Sequence, residues 1–264
     1  MSQKPPPKQF IKSPIKGTKS TIMISSAKGG VGKSTIAVNL AFALQHLGLK
    51  IGILDADVYG PSLPKLLNLK EKPKSEDNKT IMPLEKFGAQ CMSMGLLIDE
   101  QTPIMWRGPM VISAIKTMTQ KVLWKDRDVI IIDMPPGTGD TQLTFAQEVK
   151  VDGAIIVSTP QDLALLDVKR GIQMFEKTGV KILGLIDNMS FFKGDDGKEY
   201  KIFGEGGVMK TAKEFNKEFL GHLPLNQDLR NSADIGYPLT HSQPDHEVSK
   251  IFKNIAEKIK QAFL

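Results

Sequence analysis

Residues 25–35 read Ser25-Ser26-Ala27-Lys28-Gly29-Gly30-Val31-Gly32-Lys33-Ser34-Thr35. An apolar run, Thr21-Ile22-Met23-Ile24, precedes them, and a helical pattern over 36–47 follows. Strand, glycine-rich turn and helix are the context of a phosphate-binding loop. Glycine lets the backbone come close to phosphate, and the N–H groups at 28–35 with the helix N-terminus point at the anion. Lys33 is placed to reach the β- and γ-phosphates, and Ser34 to sit on Mg2+. The plain G-x-x-x-x-G-K-[ST] pattern is not quite met, because its first position falls on Ala27. A second lysine, Lys28, stands at the mouth of the loop instead, which makes this a deviant and narrower form of the motif. The alternative is a basic, glycine-containing loop with no ligand.

Three further clusters fall where strands are expected to end. Asp55-Ala56-Asp57 follows the apolar run 50–54. Asp133-Met134-Pro135-Pro136-Gly137-Thr138-Gly139-Asp140 follows Val129-Ile130-Ile131-Ile132. A carboxylate after a buried strand, facing a phosphate loop, holds Mg2+ through water, and Asp133 takes that role. Asp57 is the candidate to orient the attacking water. Asp55 either supports the metal shell or is a cap or turn residue. The Pro-Pro-Gly-Thr-Gly segment reads as a mobile loop that senses the γ-phosphate. Asp187-Asn188-Met189-Ser190 follows a strand expected at 180–186. The Asn188 amide both donates and accepts, which suits an adenine edge, although asparagine at such a spacing is also a common turn residue.

The elements that must position these groups alternate. Strands are expected at 50–54, 89–94, 128–132, 153–158 and 180–186, and helices at 61–69, 110–124, 162–177 and 247–263, with surface loops at 70–79 and 194–207. Continuous β-branched runs between helices imply a parallel sheet covered on both faces, with right-handed crossovers and the ligand at the C-terminal strand ends. The expected fold is thus α/β, a P-loop NTPase with a mostly parallel sheet. It is a single domain over 21–264, with residues 1–20 as a flexible tail.

Composition sets bounds without naming a substrate. With 264 residues, 41% hydrophobic and 24% charged, the chain is long enough for one large α/β core. The net charge of +6 includes five lysines and no acid within residues 1–20, otherwise spread thinly. That stretch lacks an apolar h-region and lacks arginine, so neither a secretory signal nor a transit peptide is expected. No apolar run is long enough to span a bilayer. The single cysteine, Cys91, excludes an intrachain disulfide and fits a reducing, cytoplasmic setting.

Read together, these segments closely resemble the Mrp/ApbC family of iron–sulfur cluster carrier ATPases, within the deviant P-loop class that includes MinD and ParA. The most family-specific stretches are Asp57-Val58-Tyr59-Gly60-Pro61-Ser62 and Trp106-Arg107-Gly108-Pro109-Met110, joined by Ile202-Phe203-Gly204-Glu205-Gly206-Gly207. The resemblance covers residues 20–245. It implies an ATP-hydrolysing homodimer with two ATPs at its interface, Lys28 reaching the partner's nucleotide in the manner of an arginine finger. It assigns Lys33, Ser34 and Asp133 to phosphate and Mg2+, Asp57 to the water, and Asn188 to adenine. It implies apo iron–sulfur proteins or assembly factors as partners.

The chain departs from that family in one respect. Many members carry Cys-x-x-Cys between the Asn-Met-Ser and Ile-Phe-Gly segments, four thiolates of the dimer holding a bridging [4Fe–4S] cluster. Here 191–200 read Phe-Phe-Lys-Gly-Asp-Asp-Gly-Lys-Glu-Tyr, with no cysteine. The ligands implied for [4Fe–4S] are therefore absent, since such clusters need four, mostly cysteine. Cys91 lies in an apolar segment and reads as structural. Asp195 and Asp196 offer oxygen ligands or a solvated turn. The small N-terminal domain common in the family is also not expected, only about twenty residues preceding the loop.

Two other readings compete. A MinD/ParA-like positioning ATPase draws on the stripe Val248, Ile251, Phe252, Ile255, Ile259 and Phe263 with lysines on the other faces, suited to an anionic membrane. The same stripe suits packing on the sheet, which is the expectation here. Nucleic acid is not expected, since no compact basic patch is visible. A reductase like the nitrogenase iron protein needs cluster cysteines that are not there.

Overall fold

The computed structural model describes residues 12–75, 79–97 and 108–264. Trp106 and Arg107, the first eleven residues of the expected tail and residues 76–78 of the expected 70–79 loop lie outside that set. In chain order the elements are β1 (Thr18–Ser25), α1 (Lys33–His46), β2 (Ile51–Asp55), α2 (Leu63–Leu66), β3 (Leu84–Lys86), β4 (Ala89–Ser93), α3 (Gly108–Gln120), β5 (Arg127–Asp133), α4 (Asp140–Glu148) and β6 (Gly153–Ser158). They continue as α5 (Asp162–Thr178), β7 (Ile182–Asp187), β8 (Phe192–Lys193), β9 (Glu199–Tyr200), α6 (Gly207–Glu214), β10 (Phe219–His222), α7 (Gln227–Ile235), α8 (Leu239–Ser242) and α9 (Glu247–Phe263).

Eight strands form one sheet in the order β10-β7-β6-β1-β5-β2-β4-β3. Every pairing is parallel except the β3–β4 edge hairpin. Alternation within the strands sorts the core into two layers. Ile22, Ile24, Ile53, Val129 and Ile131 face the side covered by α1 and α9. Met23, Leu54, Ile130, Ile132 and Ile156 face the side covered by α3, α4 and α5. β1 lies centrally, so its C-terminal end is flanked by those of β5 and β6.

The helices expected at 61–69 and 110–124 run Leu63–Leu66 and Gly108–Gln120, and three further differences have a visible cause. Attachment begins inside the expected tail: Ser13 N–H donates to the Glu148 carbonyl at 2.9 Å, and Ile15 is buried. β7 starts at Ile182 because Gly179, at φ 67°, caps α5 and turns Val180 back onto the Phe175 carbonyl. The expected 194–207 loop holds β9, the second strand of a hairpin with β8, paired Phe192 to Tyr200. The Asp196 carboxylate closes that hairpin by accepting from Lys198 N–H and the Tyr200 hydroxyl, both at 3.0 Å.

α9 buries Val248, Phe252, Ile255, Ala256 and Ile259, with Ile251 and Phe263 partly covered against the same layer. The stripe is thus a packing face, as expected, rather than a face free to lie on a membrane. Lys258, two turns after Ile251 on the same side of the helix, donates to the Phe219 and Leu220 carbonyls of edge strand β10 at 3.3 and 3.0 Å. Among the described residues no helix is long and apolar enough to cross a membrane. Phe252 is fully buried, so Phe252→Ala is expected to cost about 3–5 kcal/mol from lost transfer energy and the cavity left behind. Urea denaturation measures it, and a loss below about 1 kcal/mol would mean that α9 is not part of the core.

Candidate functional site

The site is built at the C-terminal ends of β1, β5, β2 and β7. Between β1 and α1 the chain reverses through Gly30 and Gly32 at φ 81° and 80°, left-handed values that only glycine takes without strain. Gly32 is also the N-cap of α1 and supplies no side-chain cap, so the first N–H groups of the helix are left for an anion. A Cβ at Gly32 would stand 2.4 Å from Asn188 Nδ2. That amide donates to the Val31 carbonyl at 2.8 Å and braces the loop from the β7 side. The loop mouth is open. A cleft of about 290 Å3 is lined by Gly29, Gly30, Lys33, Ser34, Asp57 and Pro136, among others. Lys28 is exposed at its edge.

Parallel register sets the carboxylates. Asp55 and Asp133 are direct partners on β2 and β5, and Asp133 is paired with Ile24 of β1. Both acids are buried, at 0% and 3% exposure. The Lys33 ammonium, itself 6% exposed, forms an ion pair with Asp133 and lies 3.2 Å from Ser34 Oγ. Burial pushes the Asp133 carboxyl upward, and Lys33 pulls against it. Asp55 is pushed up to about 7, by burial first and by the Asp133 charge second.

Asp55 makes the contacts of a turn residue, one of the two readings left open. Its carboxylate accepts from the N–H groups of Asp57, Ser62 and Leu63 and from the Ser93 hydroxyl at 2.9–3.1 Å. With both oxygens engaged, it holds residues 55–63 in place. Asp57 lies one turn further, 8% exposed on the cleft wall. Its Oδ1 accepts from Tyr59 and Gly60 N–H, both at 3.2 Å, which orients the carboxylate. Pro135 and Pro136 follow Asp133 on the opposite wall of a second cleft of about 430 Å3 that shares Asp57 and Pro136 with the first.

Ser93 and Gln142 belong to this framework and are not legible in the sequence. Each makes its contacts only through register and crossover, with no local motif to mark it. The phosphate loop, Asp57, Asp133 and Asn188 do converge as read. Cys91 does not join them. It lies fully buried on β4, and burial pushes its thiol pKa far up, away from the thiolate a metal needs. Among the described residues no three His, Cys, Asp or Glu side chains converge as a metal site.

Fold and site together define a P-loop NTPase with the deviant loop. The family model for ParA, described as NUBPL iron-transfer P-loop NTPase, matches residues 17–260. The chain belongs to this family. It is 48% identical over 247 residues to the iron–sulfur protein required for NADH dehydrogenase of Arabidopsis thaliana, covering 93% of this chain and 79% of that one. It is 46% identical to the iron–sulfur cluster carrier protein of Escherichia coli K12, covering 93% and 67%. A solved nucleotide-binding protein from Archaeoglobus fulgidus, in complex with ADP, is 37% identical with a TM-score of 0.74, covering 83% and 87%. The cell division ATPase MinD of Pyrococcus furiosus, at 20% identity and a TM-score of 0.68, covering 92% and 98%, shares the fold.

One acid beside the site has no hydrogen-bond partner. Asp187, at the end of β7, buries both carboxylate oxygens, with His222 Nδ1 3.4 Å from one of them. Burial raises its pKa to about 7, and the Lys201 charge opposes this. An unfolded aspartate titrates near 4 (about 3.9). Between about pH 4 and 7 the folded chain therefore holds a proton that the unfolded chain releases, and this group's contribution to stability falls as pH rises. Asp187→Asn is expected to melt higher than the parent at pH 8 and to lose that advantage at pH 5. An equal change in melting temperature at both pH values would refute the burial account.

Proposed function

We propose that the chain is a Mg2+-dependent ATPase that works as a homodimer in iron–sulfur cluster carriage or assembly. The observation that carries the ATPase reading is the convergence of Lys33, Ser34, Asp57 and Asp133 around one anion-binding loop. The donors offered to a metal are hard oxygens, Ser34 Oγ with Asp133 behind it, which fits magnesium. Mg2+ there would neutralise charge on the phosphates. The chain's own groups do the rest. The N–H groups at 28–35 hold the phosphates, and Lys33 exchanges its Asp133 partner for phosphate oxygens. Asp57 orients the attacking water. Asn188, with Nδ2 engaged on Val31, presents Oδ1 as the acceptor for the adenine amino group. Exposed Lys28 reaches the nucleotide of a second copy.

The iron–sulfur part rests on the family and on the names of its relatives. This chain's residues do not fit a cysteine-held cluster: its thiol is buried, and the β8–β9 hairpin, where the family's cysteine pair is placed, is closed by Asp196 and Tyr200. The cluster is therefore handled as cargo whose thiolates belong to partner proteins, with ATP turnover setting when those partners are engaged. A cytoplasmic setting accords with the single reduced cysteine.

Two measurements test the proposal. Lys28→Ala is expected to keep ATP binding and to lose hydrolysis, by on the order of 10³-fold if the lysine acts as an arginine finger does. Undiminished turnover would end the in-trans role. Anaerobic reconstitution with iron and sulfide is expected to leave the purified chain without visible charge-transfer bands while ATPase activity persists. A stoichiometric chromophore would show that the chain supplies cluster ligands after all.

A further inference from the structure

The loop 134–139 is bound to the phosphate loop by a small set of contacts. Met134 N–H donates to the Ile24 carbonyl at 3.1 Å, and Gly137 N–H to the Ser26 carbonyl at 2.8 Å. Between these two lies one side chain from another element. Gln142, on the first turn of α4 and 1% exposed, donates through Nε2 to the Pro135 carbonyl at 2.5 Å. Its Oε1 accepts from the Ser25 hydroxyl at 3.0 Å. Ser25 is the last residue of β1, and its neighbour Ser26 donates through Oγ to the Lys28 carbonyl at 2.9 Å.

We infer that Gln142 is a positioning residue that transmits the state of loop 134–139 to the phosphate loop and Lys28. A carboxamide suits the task, because its two ends are chemically opposite and each is satisfied by a different loop. Burial makes both bonds costly to leave unmade, so Pro135 and Ser25 shift together or one polar group is orphaned. The two proline residues restrict the backbone of the loop, so a displacement at Asp133 passes along it rather than being absorbed locally. Through Ser25 and Ser26 the displacement reaches the backbone that carries Lys28. No other side chain among the described residues is recorded bonding both segments.

The inference rests on the ATPase reading, and its test separates the two. Gln142→Met keeps the volume and removes both bonds. Ser25→Ala removes one end only and serves where the first variant folds poorly. ATP turnover, ADP affinity and amide hydrogen exchange of residues 134–141 with ADP and with a non-hydrolysable ATP analogue are measured on parent and variants. The parent is expected to show different protection of 134–141 with the two nucleotides. In the variants that difference disappears and kcat falls by about 10²-fold, the scale of a small misplacement of reacting groups, while ADP affinity stays within about threefold. Unchanged kcat, or kcat, ADP affinity and melting temperature falling together, would overturn the coupling role. So would a parent loop indifferent to the nucleotide. A parent that binds ATP without hydrolysing it would overturn the ATPase reading, and the exchange comparison would still decide the coupling.

Discussion

Two carboxylates side by side in the sheet are the constraint around which this molecule is arranged. Asp55 and Asp133 end adjacent parallel strands at the same level, both out of water. An unpaired buried charge costs several kcal/mol, on the order of the stability of a whole domain. Each acid is met in a different way. Lys33, the first residue of α1, brings a cation to Asp133. Asp55 gathers backbone N–H groups and the Ser93 hydroxyl, which folds residues 55–63 over it and sets Asp57 on the cleft wall. The geometry of the cleft is thus in part the solution to an electrostatic problem inside the sheet. It also leaves the Lys33 ammonium at the base of the cleft, held by Asp133.

How much of this was legible follows from which signals are local. β2 and β5 are short apolar runs ended by a carboxylate, and β1 runs into a contiguous glycine-rich motif, so these strands and the meeting of Lys33 with Asp133 at their ends could be read directly. The parallel sheet and the strand-end location followed from alternation. What failed to show were elements whose stability is tertiary. α4 and α7 carry mostly polar sequences with narrow apolar faces, and β10 is a four-residue edge strand. Ser93 and Gln142 look ordinary in sequence because their partners stand 38 and 117 residues away. For Asp55, local sequence allowed two roles, and the hydrogen bonds that tie residues 55–63 to it are visible only in the folded turn.

The stretch expected to hold a cargo stands in contrast. A thiol pair is the feature on which cluster binding by this family would rest, and here the corresponding stretch is a self-closed hairpin. Its aromatic residues Phe192 and Tyr200 stay partly exposed while Asp196 is used internally. The residues around the phosphate loop are in place all the same, since none of them depends on that hairpin.

Lys258 has a meaning beyond the packing of α9. Its ammonium covers carbonyls of β10, the strand at one border of the sheet, and so places a charge where another chain would otherwise add a strand. At the opposite border the last strand is the three-residue β3, too short to template a long pairing. Both borders thus discourage the addition of a further strand, and the sheet ends with this chain rather than serving as a template for another.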